Sequence, residues 1–316
     1  MTGGFSRRSA GSIIVYAIVS GFCLSWLVLL VTIPMLTTTF SPGTLAGFPA
    51  GLDWAYLSNL FFQVLITVLI LFAVAHNGLD IVSKAARGVV RVEQGPKVKR
   101  FDLNQRVQHV WLFTTTAVLA VTGFASLYYE QWGRVFIDAI GGEAVNFDIH
   151  LLAALLLGVL VVYHFAFYTA QYLARRARGE PAPLPIMLGR KDVSDFLQNL
   201  RFMMGLGKAE PSYGKYDYAQ KFDYWGIYWG MIILGAPGVL LWMFGYSFLG
   251  GVPFIFHTDE AMLAVLFLGV FHFYQAHWSP RDFPMNKVFV TGTLSEREMK
   301  DQHPLELERA KPEVSG

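Results

Sequence analysis

The chain has 316 residues, 54% of them hydrophobic and only 15% charged, against about a quarter charged in an average soluble domain. The net charge of +2 provides no basic footprint for nucleic acid, and the composition excludes a disordered chain and an ordinary soluble enzyme. The sole cysteine, Cys23, rules out an internal disulfide, covalently attached c-type haem and cysteine-held iron–sulfur clusters within this polypeptide.

A helix needs about 20 apolar residues to cross the hydrocarbon of a bilayer. In chain order, six stretches qualify: 13–33, 57–75, 107–128, 147–173, 224–246 and 256–277. Arg7 and Arg8 precede the first. Its apolar run exceeds the roughly 7–15 residues of a cleaved signal core, and no small-x-small site follows, so it reads as a retained membrane helix. Pro34, Pro42 and Pro49 punctuate the first connection; Gly250, Gly251 and Pro253 mark the last. A charged linker, about 80–106, separates the first two spans from the rest. Residues 192–205 place Phe196, Leu200, Met203 and Met204 at helical spacing, which predicts an amphipathic helix on the membrane surface. The tail, about 294–313, carries mixed charges and is expected to be solvated and partly helical, with His303 on its surface.

The fold expected is therefore all-α, a polytopic membrane helical bundle of six transmembrane helices. With an even number of spans, both termini share one side. Of the 25 Lys and Arg, 24 fall on that side and only Arg134 on the other. The positive-inside rule then places both termini in the cytoplasm.

Most of the eight histidines lie within or at the ends of spans, where an ionisable side chain is costly and hence a functional candidate. His150 and His164 share the fourth span and are 14 residues apart. That is about 21 Å along a helix axis and about 40° around it, so they occupy one face near opposite membrane surfaces. His257 and His272 repeat the arrangement on the sixth span. His109 stands at the cytoplasmic start of the third. Two helices offering imidazoles at two depths are what two stacked b-type haems require. The periplasmic level offers His150 and His257. At the cytoplasmic level His109, His164, His272, His277 and His76 all compete, and depth does not choose among them.

Three segments carry a family resemblance: "RFDLNQRVQHVW" (100–111), "GKYDYAQKFDYW" (214–225), and "HTDEAMLAVLFLGVFHFY" followed by "SPRDFPMNKVFVTG" (257–274 and 279–292). From about residue 100 to 304 the chain resembles the gamma, cytochrome b, subunit of membrane-bound formate dehydrogenase, together with the cytochrome b subunits of thiosulfate reductase and nickel-iron hydrogenase. The resemblance implies a four-helix dihaem core in residues 100–280, two additional N-terminal helices and a linker in 1–99, and a cytoplasmic tail in 281–316. It implies His150 with His257 as axial ligands of one haem b and His109 with His272 of the other. His164 remains an alternative or additional ligand, and a third haem would draw on His277 or His76.

The family's quinone pocket corresponds here to "KYDYAQK" (215–221). Asp217 stands where the family usually has Asn, and Ala219 where it has Gly. Gln220, Lys221 and Arg106 are candidates for a quinone head group or haem propionates, while capping of the next helix is the alternative use of the loop. Near His257, Asp259 and Glu260 could orient a ligand histidine or serve as helix-start charges.

The resulting expectation is a membrane-anchoring dihaem cytochrome b subunit in a bacterial inner membrane. It would pass electrons between the menaquinone or ubiquinone pool and a separate catalytic subunit holding iron–sulfur clusters, c-type haems, molybdenum or nickel-iron. It would be an electron-transfer subunit rather than a catalyst alone. Two other classes share parts of this pattern: a stand-alone quinone-coupled cytochrome (superoxide oxidase or ferric reductase), and a haem-free transporter or assembly protein.

Overall fold

The computed structural model describes residues 54–310; the first expected span, 13–33, lies outside them. The described chain is mostly helical. Five helical stretches are long and apolar enough to cross a membrane, matching the second to sixth expected spans: α1 (Trp54–Ala86), α2 (Leu103–Leu127), α4 (Glu143–Ala177), α6 (Tyr218–Phe244) and the stretch Phe248–Trp278, whose regular part is α7 (Val252–Phe267). Between α2 and α4 lie a π turn (Tyr129–Gly133) and the short α3 (Arg134–Ile140). The connection between α4 and α6 carries α5 (Arg190–Met203), and the tail carries α8 (Val288–Thr291), α9 (Glu296–Gln302) and α10 (Pro304–Ala310). Two three-residue strands, β1 (Lys97–Lys99) and β2 (Thr293–Ser295), pair with each other.

Local sequence explains where these helices begin. Asp102 caps α2 by accepting from the Gln105 N–H at 2.8 Å, while the Gln105 side chain accepts from the Asp102 N–H. Asp217 and Gln220 form the same reciprocal box at the start of α6. Each box satisfies two backbone donors that a helix start leaves open. Arg175 and Arg176 occupy the last turn of α4, where cations suit the helix dipole. Exposed apolar side chains such as Leu155, Val159 and Val162 on α4 and Trp229 and Ile232 on α6 provide surfaces for lipid tails.

Contacts divide the chain into two compact units. One contains α2, α3, α4 and α8, with α2 packed along α4. Its π turn lies so close to α2 that a Cβ on Gly133 would sit 1.8 Å from the Ala125 carbonyl oxygen, which restricts that position to glycine. The other unit contains α1, α5, α6, α7, α9 and α10, with α7 packed against both α1 and α6.

Three features differ from the sequence expectation. First, α1 continues through residues read as linker. At 33 residues it is about 50 Å long, well beyond the roughly 30 Å of hydrocarbon, and its last turns bury Asp80, Ser83 and Lys84. Second, α5 forms as expected but turns acidic residues inward. Asp192 and Asp195 are buried and Met204 is exposed, because Asp192 meets Lys221 at 2.8 Å and the Gly189 N–H at 2.8 Å, and Asp195 pairs with Lys191 at 2.5 Å. Third, His303 is not on the surface. It is 2% exposed, its Nδ1 lies 2.8 Å from the Gly214 carbonyl, and the Leu305 N–H donates to the Tyr213 carbonyl, tying the tail to the segment before α6.

Just beyond the last span, Asp282 is buried and accepts from the Asn286 amide at 2.6 Å. Burial pushes its carboxyl up to about 6, against the pull of Lys84, Arg281 and Arg91. An unfolded Asp titrates near about 4, so between these values the folded protein holds a proton that the unfolded chain releases. Stability is therefore expected to fall as pH rises from about 4 to about 6, by at most roughly 3 kcal/mol, and to be flat above that for this group. Asp282→Asn should remove that slope in thermal unfolding followed in detergent; an unchanged slope would assign it to other groups.

Candidate functional site

In the unit built on α2 and α4, His150 places Nδ1 2.8 Å from the Thr122 hydroxyl. That hydroxyl lies 2.7 Å from the Val118 carbonyl, its acceptor one turn back. Having only one proton to give, the hydroxyl accepts from His150, which fixes the Nδ1–H tautomer and makes Nε2 the lone-pair nitrogen. Asn146, 2% exposed, donates to the Thr122 carbonyl and the Ser126 hydroxyl, holding α4 to α2 beside the ring. At the residue after Thr122, a Cβ on Gly123 would come 3.2 Å from His150 Cε1. His164, on the same helix, sets Nδ1 2.7 Å from the Gln108 side-chain amide oxygen, Oε1, so it too donates from Nδ1 to α2. Its neighbour in that arrangement, His109, packs its ring 5.6 Å from the Phe289 ring.

The second unit repeats the pattern between α7 and α6. His257 donates from Nδ1 to the Leu234 carbonyl at 2.8 Å. Pro237, inside α6, has no N–H to give the helix ladder, which loosens the backbone next to that carbonyl. A Cβ on Gly238 would lie 3.0 Å from His257 Cε1. Further along, His272 bonds through Nδ1 to the carboxylate of Asp223 on α6. Two successive π turns, Leu268–His272 and Tyr274–Trp278, end this helix. A π turn widens the helix by a residue and re-aims the side chains it carries.

The four histidines expected at two depths on two helices therefore share one local design. Each is partly buried, and each commits Nδ1 to the adjacent helix of its own unit. In neutral imidazole, donation from one nitrogen leaves the other as the acceptor or metal ligand. Glycines lie where a methyl would press on the His150 and His257 rings. This donor set fits axial haem ligation, since a porphyrin supplies four nitrogens and asks the protein for only one or two. Among the described residues no cluster of three or more His, Cys, Asp or Glu has the spacing of a metal site, and haem ligation does not call for one.

The structure gives the remaining expected residues local roles. Asp217 and Gln220 form the α6 capping box, Lys221 pairs with Asp192, and Arg106 donates to the Val290 carbonyl. Glu260 is buried, 2.9 Å from where a Gly230 Cβ would stand, and the Asp259 Oδ2 is buried without a hydrogen-bond partner among the described residues. His277 packs its ring 5.6 Å from that of Phe273.

Sequence reasoning missed a polar network on α1. His76, 4% exposed, places Nε2 2.8 Å from the Tyr218 hydroxyl, which also accepts from Asn199. Asn77 donates to the Val270 carbonyl within the first π turn. Asp80 takes both the Lys84 ammonium and the Tyr274 hydroxyl at 2.7 Å, and Lys84 also donates to the Ser279 hydroxyl at 2.8 Å. The signal was available: His76, Asp80 and Lys84 recur every four residues, one helical stripe, but the stripe runs from the end of the second expected span into residues read as linker.

The chain matches no family model and no curated protein. What fold and site define together is a multi-pass membrane protein whose spanning helices carry histidines of fixed tautomer.

Proposed function

We propose that this protein is the membrane-anchoring dihaem cytochrome b subunit of a respiratory oxidoreductase complex in a bacterial inner membrane, with both termini cytoplasmic. It carries electrons between a catalytic partner subunit and the quinone pool. The observation that carries this reading is the shared commitment of Nδ1 by His150, His164, His257 and His272 to an adjacent helix. Haem b, when bound, supplies one-electron transfer. His150 and His257 would hold one haem at the periplasmic level and His109 and His272 the other at the cytoplasmic level, with His164 an alternative or additional ligand. Thr122, Leu234 and Asp223 hold the rings in the ligating tautomer.

The loop at 215–221, with Arg106, is the proposed quinone-facing surface, supported by the family resemblance. Capping by Asp217 and Gln220 joins the end of that loop to α6, and the Lys221–Asp192 ion pair joins it to α5. The catalytic partner supplies iron–sulfur, c-haem, molybdenum or nickel-iron centres; the single Cys23 of this chain is too few for a cysteine-held cluster or a c-type haem.

Purified protein is expected to show a b-type alpha band in a reduced-minus-oxidised spectrum, with two haems per chain, and to be reduced by a quinol. A preparation that is folded and helical yet shows no such band would overturn the proposal and favour a haem-free transporter. Haem present in a protein that purifies with no redox partner would favour the stand-alone cytochrome.

A further inference from the structure

The ligand candidates differ in what receives their Nδ1 protons. For His150 the acceptor is a hydroxyl, and for His257 a backbone carbonyl; both are neutral. For His272 it is the carboxylate of Asp223. Asp223 is 9% exposed. Its second oxygen, Oδ1, is buried and has no hydrogen-bond partner among the described residues, and among those residues its only ion-pair partner is His272. Among the described residues, no other donor or cation therefore draws the negative charge away from the imidazole.

We propose that Asp223 is a positioning residue that would make His272 a strongly donating haem ligand and so give its haem the lower reduction potential of the two. This rests on the haem reading above and adds to it an assignment of potentials. The physical basis is charge. Hydrogen bonding of Nδ1–H to a carboxylate raises the electron density on Nε2. Ferric haem carries one more positive charge than ferrous haem, so a more basic ligand favours the ferric form. A buried carboxylate acts through a low dielectric, where its influence is little screened. The neutral acceptors of His150 and His257 lack this effect. The first π turn, which ends at His272, sets the direction in which the ring meets α6.

Potentiometric titration of the purified holoprotein, monitored in the alpha band, tests the assignment. Wild type should resolve two components, and the one lost in His272→Ala should be the lower. Asp223→Asn keeps a carbonyl acceptor for Nδ1–H and removes the charge. It should shift the reduced-to-oxidised ratio of that component at least tenfold toward reduced at fixed ambient potential, a rise of about 59 mV for one electron, and leave the other component in place. Should Asp223→Asn fail to accumulate, the wild-type and His272→Ala titrations decide: loss of the higher component overturns the proposal. Haem at full content with an unmoved potential in Asp223→Asn overturns the role of Asp223 alone. Absence of b-type haem from wild type overturns the reading beneath it.

Discussion

On the proposed ligand pairing, His257→Ala should lower the b-type haem content from two per chain to about one, and His150→Ala should abolish the same spectral component. The shared loss is the informative part. If both residues bind one iron, the double variant loses no more than either single, whereas ligands of different irons would add. Each imidazole also bridges to its neighbouring helix, His257 to the Leu234 carbonyl and His150 to Thr122. Alanine thus removes one hydrogen bond from the scaffold, worth about 1 kcal/mol, a small change beside the loss of a ligand. Gly238→Ala offers an intermediate, since its methyl would stand 3.0 Å from His257 Cε1 and displace the ring without deleting it. Full haem content in both single alanine variants would reject the pair.

Lys84→Met should be the most damaging substitution to the fold. Lys84 and Asp80 are 2.7 Å apart with side chains 10% and 9% exposed. Removing one member of a buried pair strands the other charge, at about 3–5 kcal/mol. Methionine matches the length of the lysine stem, so the loss is electrostatic rather than a cavity. Asp80 would keep the Tyr274 hydroxyl, one donor where it had two. The double change Asp80→Asn with Lys84→Met should recover most of the stability, since replacing both charges of a buried pair is often close to neutral. Denaturation midpoints in detergent measure both; a single variant as stable as the parent would show that the pair does not hold the fold.

How much of this was legible beforehand follows from the kind of signal each feature leaves. Five spans could be located because apolar runs of about 20 residues have one physical use. The candidate histidines stood out because ionisable groups are rare at that depth. Their partners did not. The carbonyl of Leu234 is backbone and leaves no trace in residue identity, and Thr122 is one hydroxyl among many. Asp223 was visible as an acidic residue at the entry of an apolar span, but nothing in sequence ties it to His272, 49 positions away. The loop at 215–221 was read with capping as its alternative use, and the α6 start shows the capping box. His303 misled because a polar tail usually faces water, whereas Gly214 and Tyr213 give this one a docking place.

The network on α1 bears on how the protein is made. Lys84 meets Ser279, Asp80 meets Tyr274, and Asn77 meets the Val270 carbonyl across separations of 195, 194 and 193 residues. At about 5–20 residues per second, a ribosome needs roughly 10–40 s to produce those partners after α1 has emerged. During that interval α1 carries Asp80 and Lys84 with only each other for company. Completion of the earliest described helix therefore waits on the last spanning stretch, and a chain terminated before Val270 would leave α1 without these three partners.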